Sequence, residues 1–132
     1  MTKPMTIAVD FDGTIVEHKF PAIGNELPFA THTLKTLQEK GHRLILWTYR
    51  CGQQLDDAIN FCKERGLEFY AVNKNYPEEK MNDEISRKIL ADLYIDDRNL
   101  GGLPSWTEIY HLIHPEAAPK EKPSESKWKW WK

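Results

Sequence analysis

Five consecutive residues, Asp10-Phe11-Asp12-Gly13-Thr14, carry the densest chemistry in the chain. They follow residues 5–9, a short apolar run rich in β-branched side chains that reads as a buried strand. Residues two apart in a strand share a side, so Asp10 and Asp12 leave it facing one way. Gly13 then lets the chain turn. Two carboxylates this close are costly unless a cation or a proton separates their charges. A second acidic pair, Asp96-Asp97, ends another apolar run at 91–95. Thr48 ends a third run and Asn73 a fourth. With parallel strands, all of these groups meet on one edge, where open α/β sheets bind ligands. Four carboxylates converging there make an all-oxygen site for a hard cation. Mg²⁺ is the natural occupant, because it binds through a few carboxylates together with substrate phosphate and water.

The elements that must position these groups alternate along the chain. Residues 15–27, with Pro21 and Gly24, have no clean period and read as an irregular flap over the strand end. Pro28 opens a helix to Lys40, with Ala30, Leu34 and Leu37 on one side and Gly41 as its stop. Residues 44–47 are continuously apolar, as a strand covered on both faces should be. Leu55, Ala58, Ile59 and Cys62 recur at helical spacing, which predicts a helix over 53–65 before Gly66. A third strand is expected at 67–72, a polar loop at 73–81, a short helix at 83–88 and a fourth strand at 91–95. Ser105-Trp106-Thr107-Glu108 is a capping box for a last helix, which Pro115 ends. This alternation predicts an α/β fold: a doubly wound, Rossmann-like parallel sheet with right-handed crossovers. Residues 1–115 form the expected domain. Residues 116–132, rich in Pro, Lys, Glu and Ser, read as a disordered tail.

A chain of 132 residues with formal net charge −2 is sized for one domain and is not basic enough to coat nucleic acid. No apolar run approaches the length of a membrane span, and the N-terminus enters the first strand without a signal peptide. Cys51 and Cys62 lack metal-binding spacing and read as reduced thiols, which suits a cytoplasmic protein.

The order of motifs resembles the haloacid dehalogenase (HAD) superfamily of phosphohydrolases, in particular its small, capless bacterial members. The likeness rests on Asp10-Phe11-Asp12-Gly13-Thr14, on Thr48 closing an apolar strand, on Lys88 upstream of the last strand and on Asp96-Asp97. It implies a Mg²⁺-dependent phosphatase that hydrolyses phosphomonoesters through an aspartyl-phosphate. Asp10 would be the nucleophile. Asp12 would protonate the leaving oxygen and then activate water. Thr48 would bind a phosphoryl oxygen and Lys88 would hold Asp10 and the phosphoryl charge. Asp97 would ligate Mg²⁺ directly and Asp96 directly or through water. The carboxylate of Asp10 and the backbone carbonyl of Asp12 would complete the protein ligands. Gly13, Thr48, Tyr49, Arg50 and Lys88 are the expected contacts to the phosphorylated substrate. Both cap insertion points of that superfamily, 14–28 and 73–88 here, are too short for a domain. The site should therefore be open, admitting a large phosphorylated partner or relying on neighbours in an oligomer.

Plainer readings stand beside these. An EF-hand loop starting at Asp10 would need a Glu where Pro21 stands. Lys80 competes with Lys88. Arg50 either meets a phosphate or is a surface arginine. The five histidines show no ligand spacing, although His18 and Lys19 lie on the flap. Trp128, Trp130 and Trp131, interleaved with lysines, could stack on nucleic acid or sit at a membrane surface, but a tail that contacts nothing specific accounts for them without either. The competing function is a non-enzymatic phospho-acceptor. Receiver domains of that kind place the acidic pair on the first strand and the phospho-accepting Asp on a middle one. The order here is the reverse, and Asp12 is present to speed hydrolysis.

Overall fold

A computed structural model describes residues 3–80 and 88–118. Four strands, β1 (Thr6–Val9), β2 (Arg43–Leu46), β3 (Ala71–Val72) and β4 (Leu93–Ile95), form one sheet in the order β3-β2-β1-β4. Every pairing is parallel. Three helices, α1 (Ala30–Glu39), α2 (Gly52–Glu64) and α3 (Trp106–Ile113), and a 3₁₀ turn (Pro115–Ala117) complete the described elements. The expected α/β parallel-sheet fold is therefore present.

Alternation along the strands explains the core. Ile7 and Val9 of β1 and Leu44 and Leu46 of β2 share one face. They pack with Leu34 and Leu37 of α1, Ala58 and Cys62 of α2, and Trp106 and Ile109 of α3. Each buried Leu or Ile removes apolar area worth roughly 1.5–3 kcal/mol. On the opposite face Ile45 joins Ala71 and Ile89, with Trp47 and Ala91 against them. Ile89 and Ala91, from the crossover between β3 and β4, thus cover part of the second face. The helix expected at 83–88 falls outside the described residues except for Lys88, which is not helical.

Most element boundaries shift by a residue or two from the sequence expectation, and two of the shifts have a clear physical reason. β3 begins at Ala71, not Leu67, because the Leu67 backbone N–H closes the end of α2 on the Cys62 carbonyl at 2.9 Å. Helix α1 begins at Ala30, after Phe29 in a left-handed conformation (φ 65°). The carboxylate of Glu26 caps it from outside, accepting from Thr31 N (2.9 Å) and Thr31 Oγ1 (2.7 Å). The Ser105 half of the capping box is present: Ser105 Oγ accepts from Glu108 N at 3.2 Å.

The flap is more ordered than its composition suggests. Val16 bridges Glu26 in antiparallel fashion, Glu17 N donates to Asn25 O at 2.8 Å, and Leu27 N donates to Ile15 O at 2.8 Å. Glu26 is held in turn by Arg65 at 3.0 Å. The tail from residue 119 lies outside the described residues. Glu116, expected to begin it, pairs with His114 at 2.8 Å. Among the described residues no helix is long and apolar enough to cross a membrane.

Candidate active site

The sheet register fixes where the chemistry sits. Val9 pairs with Leu46 and Ile95, and Leu46 pairs with Val72, so the four strands end in one row. Asp10, Trp47, Asn73 and Asp96 are the next residues of each strand. Strand order reverses between β1 and β4, and that reversal is where such sheets open a crevice for ligands. Asp10 stands on one side of it and Asp96-Asp97 on the other.

Oxygen atoms of Asp10, Asp96 and Asp97 lie within 4.8 Å of one another. Burial, and then the charge of Asp96, push the Asp10 carboxyl up to about 7, against a hydrogen bond from Thr14 Oγ1 (3.1 Å) that pulls it down. Asp97 Oδ1 is buried without a hydrogen-bond partner. A buried carboxylate oxygen left unsatisfied is expensive. Oxygen donors alone, one of them orphaned, fit a hard divalent cation. Gly13 lets Asp97 approach: its φ is +83°, and a Cβ on it would lie 2.2 Å from Asp97 Oδ2. Helix α3 braces the same turn, with Trp106 Nε1 donating to the Thr14 carbonyl at 2.9 Å.

A cavity of about 430 Å³ opens over this cluster. Asp10, Asp12, Thr48 and Tyr49 line it as the sequence led us to expect, and His18 reaches it from the flap. Asn73 organises the second motif. Its side-chain oxygen accepts from Thr48 N at 2.8 Å, and Thr48 Oγ1 accepts from Arg50 N at 3.1 Å. Accepting that bond leaves the Thr48 hydroxyl its own proton to donate. Tyr49, 58% exposed, stands at the mouth beside Phe20 (ring centroids 5.1 Å apart), with its hydroxyl 3.3 Å from His18 Nε2.

Three expectations change. Arg50 does not lie on the surface, and its N–H groups are turned to partners within the protein. It is 1% exposed and forms a bidentate pair with Asp12, Nε to Oδ2 and Nη2 to Oδ1, both at 2.7 Å. The Asp12 side chain faces Arg50 and does not join the three-carboxylate cluster. Lys88 is exposed, with Nζ 5.5 Å from the centroid of the Tyr94 ring. Arg98, which sequence reasoning passed over, lines the cavity with Trp47. Its signal was only adjacency to Asp96-Asp97.

No family model and no curated protein matches the chain. Among solved structures it is similar to a conserved protein coded by a locus of Bacteroides thetaiotaomicron. The identity is 60% over 88% of this chain and 94% of that one, with a TM-score of 0.82. At that identity and coverage, the chain belongs to one family with this conserved Bacteroides protein.

Proposed function

We propose that this protein is a Mg²⁺-dependent phosphatase of the capless HAD type, hydrolysing phosphomonoesters through a phosphoryl group carried on Asp10. One observation carries the reading. Carboxylate oxygens of Asp10, Asp96 and Asp97 meet within 4.8 Å, one buried oxygen of Asp97 lacks a partner, and the Thr48 hydroxyl shares the same cavity. Asp10, Asp96 and Asp97 would hold the cation by their side chains, and Asp12 by its backbone carbonyl. Bound Mg²⁺ supplies positive charge that offsets the repulsion between a carboxylate nucleophile and a phosphate dianion.

The side chains then divide the work. An Asp10 oxygen attacks phosphorus as the ester oxygen departs, and Asp12, which must start protonated on a lone pair that Arg50 does not occupy, delivers its proton to that oxygen. Water next attacks the phosphoryl group, Asp12 takes its proton, and inorganic phosphate leaves Asp10 as a free carboxylate. Thr48 donates to a phosphoryl oxygen. Arg98, which lines the cavity, is the proposed counter-charge. A 430 Å³ cavity suits a small organic phosphate. The free thiols Cys51 and Cys62 suit a reducing compartment, and the cytoplasm is the proposed location.

Phosphate release from 4-nitrophenyl phosphate, with Mg²⁺ and after chelation, tests the reading. Turnover that needs the cation and is lost in Asp10→Asn is expected. Turnover indifferent to both changes would overturn it.

A further inference from the structure

Arg50 has no donor to spare. Besides its two bonds to Asp12, Nη2 donates to Ala22 O at 2.8 Å, and Nη1 to Pro21 O at 3.2 Å and Gln54 O at 3.3 Å. Five contacts occupy the five N–H groups of a guanidinium. The rings of Phe20 and Phe11 lie 5.0 and 5.2 Å from its central carbon. Three separate pieces of chain therefore converge on one side chain: the first motif through Asp12, the flap through Phe20, Pro21 and Ala22, and the first turn of α2 through Gln54.

A buried ion pair is weak evidence for stability, because desolvation offsets its Coulombic gain. What the fork geometry does supply is direction. Two parallel bonds fix the plane of the Asp12 carboxylate, and a lysine cannot reproduce them. The same guanidinium fixes the flap, which carries His18 into the cavity.

We propose that Arg50 is a positioning residue that locks the 15–27 flap to the Asp12 carboxylate, so that the cavity wall and the proton-transferring group are oriented as one body. The inference rests on the phosphatase reading. It predicts that disturbing either Arg50 or the flap injures proton delivery to the leaving oxygen more than phosphoryl transfer itself.

The test uses kcat/KM for 4-nitrophenyl phosphate and for unsubstituted phenyl phosphate. The rings are alike, but the second leaving group needs a proton far more. General acid help is typically worth about 10²–10⁴-fold. Arg50→Lys should lose at least about 10²-fold on phenyl phosphate and less than about 10-fold on 4-nitrophenyl phosphate. Gly24→Ala should give the same pattern from a distance. Its new Cβ would lie 2.2 Å from the Glu17 carbonyl oxygen, so the flap must shift, while Arg50 and Asp12 stay unaltered. This variant keeps the test open if Arg50→Lys fails to fold. In an Asp12→Asn background, either change should add nothing on phenyl phosphate, as expected for groups acting through one another. Equal losses on both substrates, or additive losses in the Asp12→Asn background, would overturn the positioning role and leave the phosphatase reading intact. A parent protein silent on both substrates overturns both.

Discussion

A Cβ added to Gly13 would fall 2.2 Å from Asp97 Oδ2, so the absence of a side chain at one strand end makes room for the carboxylate of another. The φ of +83° adds a second reason for glycine here. Gly13→Ala should displace Asp97 and cut Mg²⁺-dependent turnover by roughly 10²-fold or more, as misplacement by about 1 Å does. Steady-state kinetics checks this, with circular dichroism to show that the sheet persists. Retention of near-parental turnover would count against the contact.

If the cluster binds the proposed cation, stability should depend on both pH and metal. Asp10 is raised from 3.8 to about 7, chiefly by burial and then by Asp96. A group whose folded pKa lies above its unfolded one binds its proton more tightly when folded. It contributes stability below about pH 4, and that contribution is lost as pH rises through about 7. In chelator, the thermal midpoint should therefore carry a falling component over this window that Asp10→Asn removes. Mg²⁺ near neutral pH should raise the midpoint by mass action, and Asp97→Ala should abolish that shift. Calorimetry across pH, with and without Mg²⁺, reads all of these effects.

Asp10 and Asp12 should separate cleanly by mutation. Asp10→Asn should abolish covalent capture of phosphate. On the proposed scheme Asp12→Asn keeps the nucleophile and loses the base, so an activated aryl phosphate should leave a phosphate adduct that turns over slowly. Intact-mass spectrometry after acid quench reads the adduct. An adduct persisting without Asp10 would assign the nucleophile elsewhere.

Much of this site was legible because its parts are local. Apolar runs ending in polar residues gave the strands, and parallel pairing then brought Asp10, Thr48, Asn73 and Asp96 to one edge. What stayed hidden is non-local. Arg50 meets Asp12, Pro21 and Ala22, which lie 38, 29 and 28 residues away, and no period in the sequence encodes a guanidinium closing on backbone carbonyls. β3 was overread because its apolar composition continues through Leu67, whose N–H is already committed to α2.

The histidines hold a second non-local feature. Met5 N donates to His42 Nδ1 at 3.0 Å, so the His42 proton sits on Nε2, facing His114 Nε2 at 3.0 Å. His114 Nδ1 then carries its own proton toward Glu116 at 2.8 Å. Burial, and then His114, lower the pKa of His42. A lowered histidine binds its proton more tightly when unfolded. Its contribution is therefore intact above about pH 6.5 and is lost as pH falls through the folded value. His42→Asn should flatten the acid side of the stability profile below about pH 6.5, as urea midpoints would show. An unchanged acid limb would assign the acid sensitivity to other groups.

The flush row formed by Val9, Leu46, Val72 and Ile95 governs which length changes the chain tolerates. Each functional residue is placed by counting along its strand from that row. Removing one residue within 6–9 or 93–95 would turn Asp10 or Asp96 toward the opposite side of the sheet, since strand side chains alternate. Insertions at 99–102, beyond the acidic pair and before the Ser105 cap, leave that count untouched. Chain length can thus change between the junctions without moving these residues, whereas at the junctions the spacing is fixed.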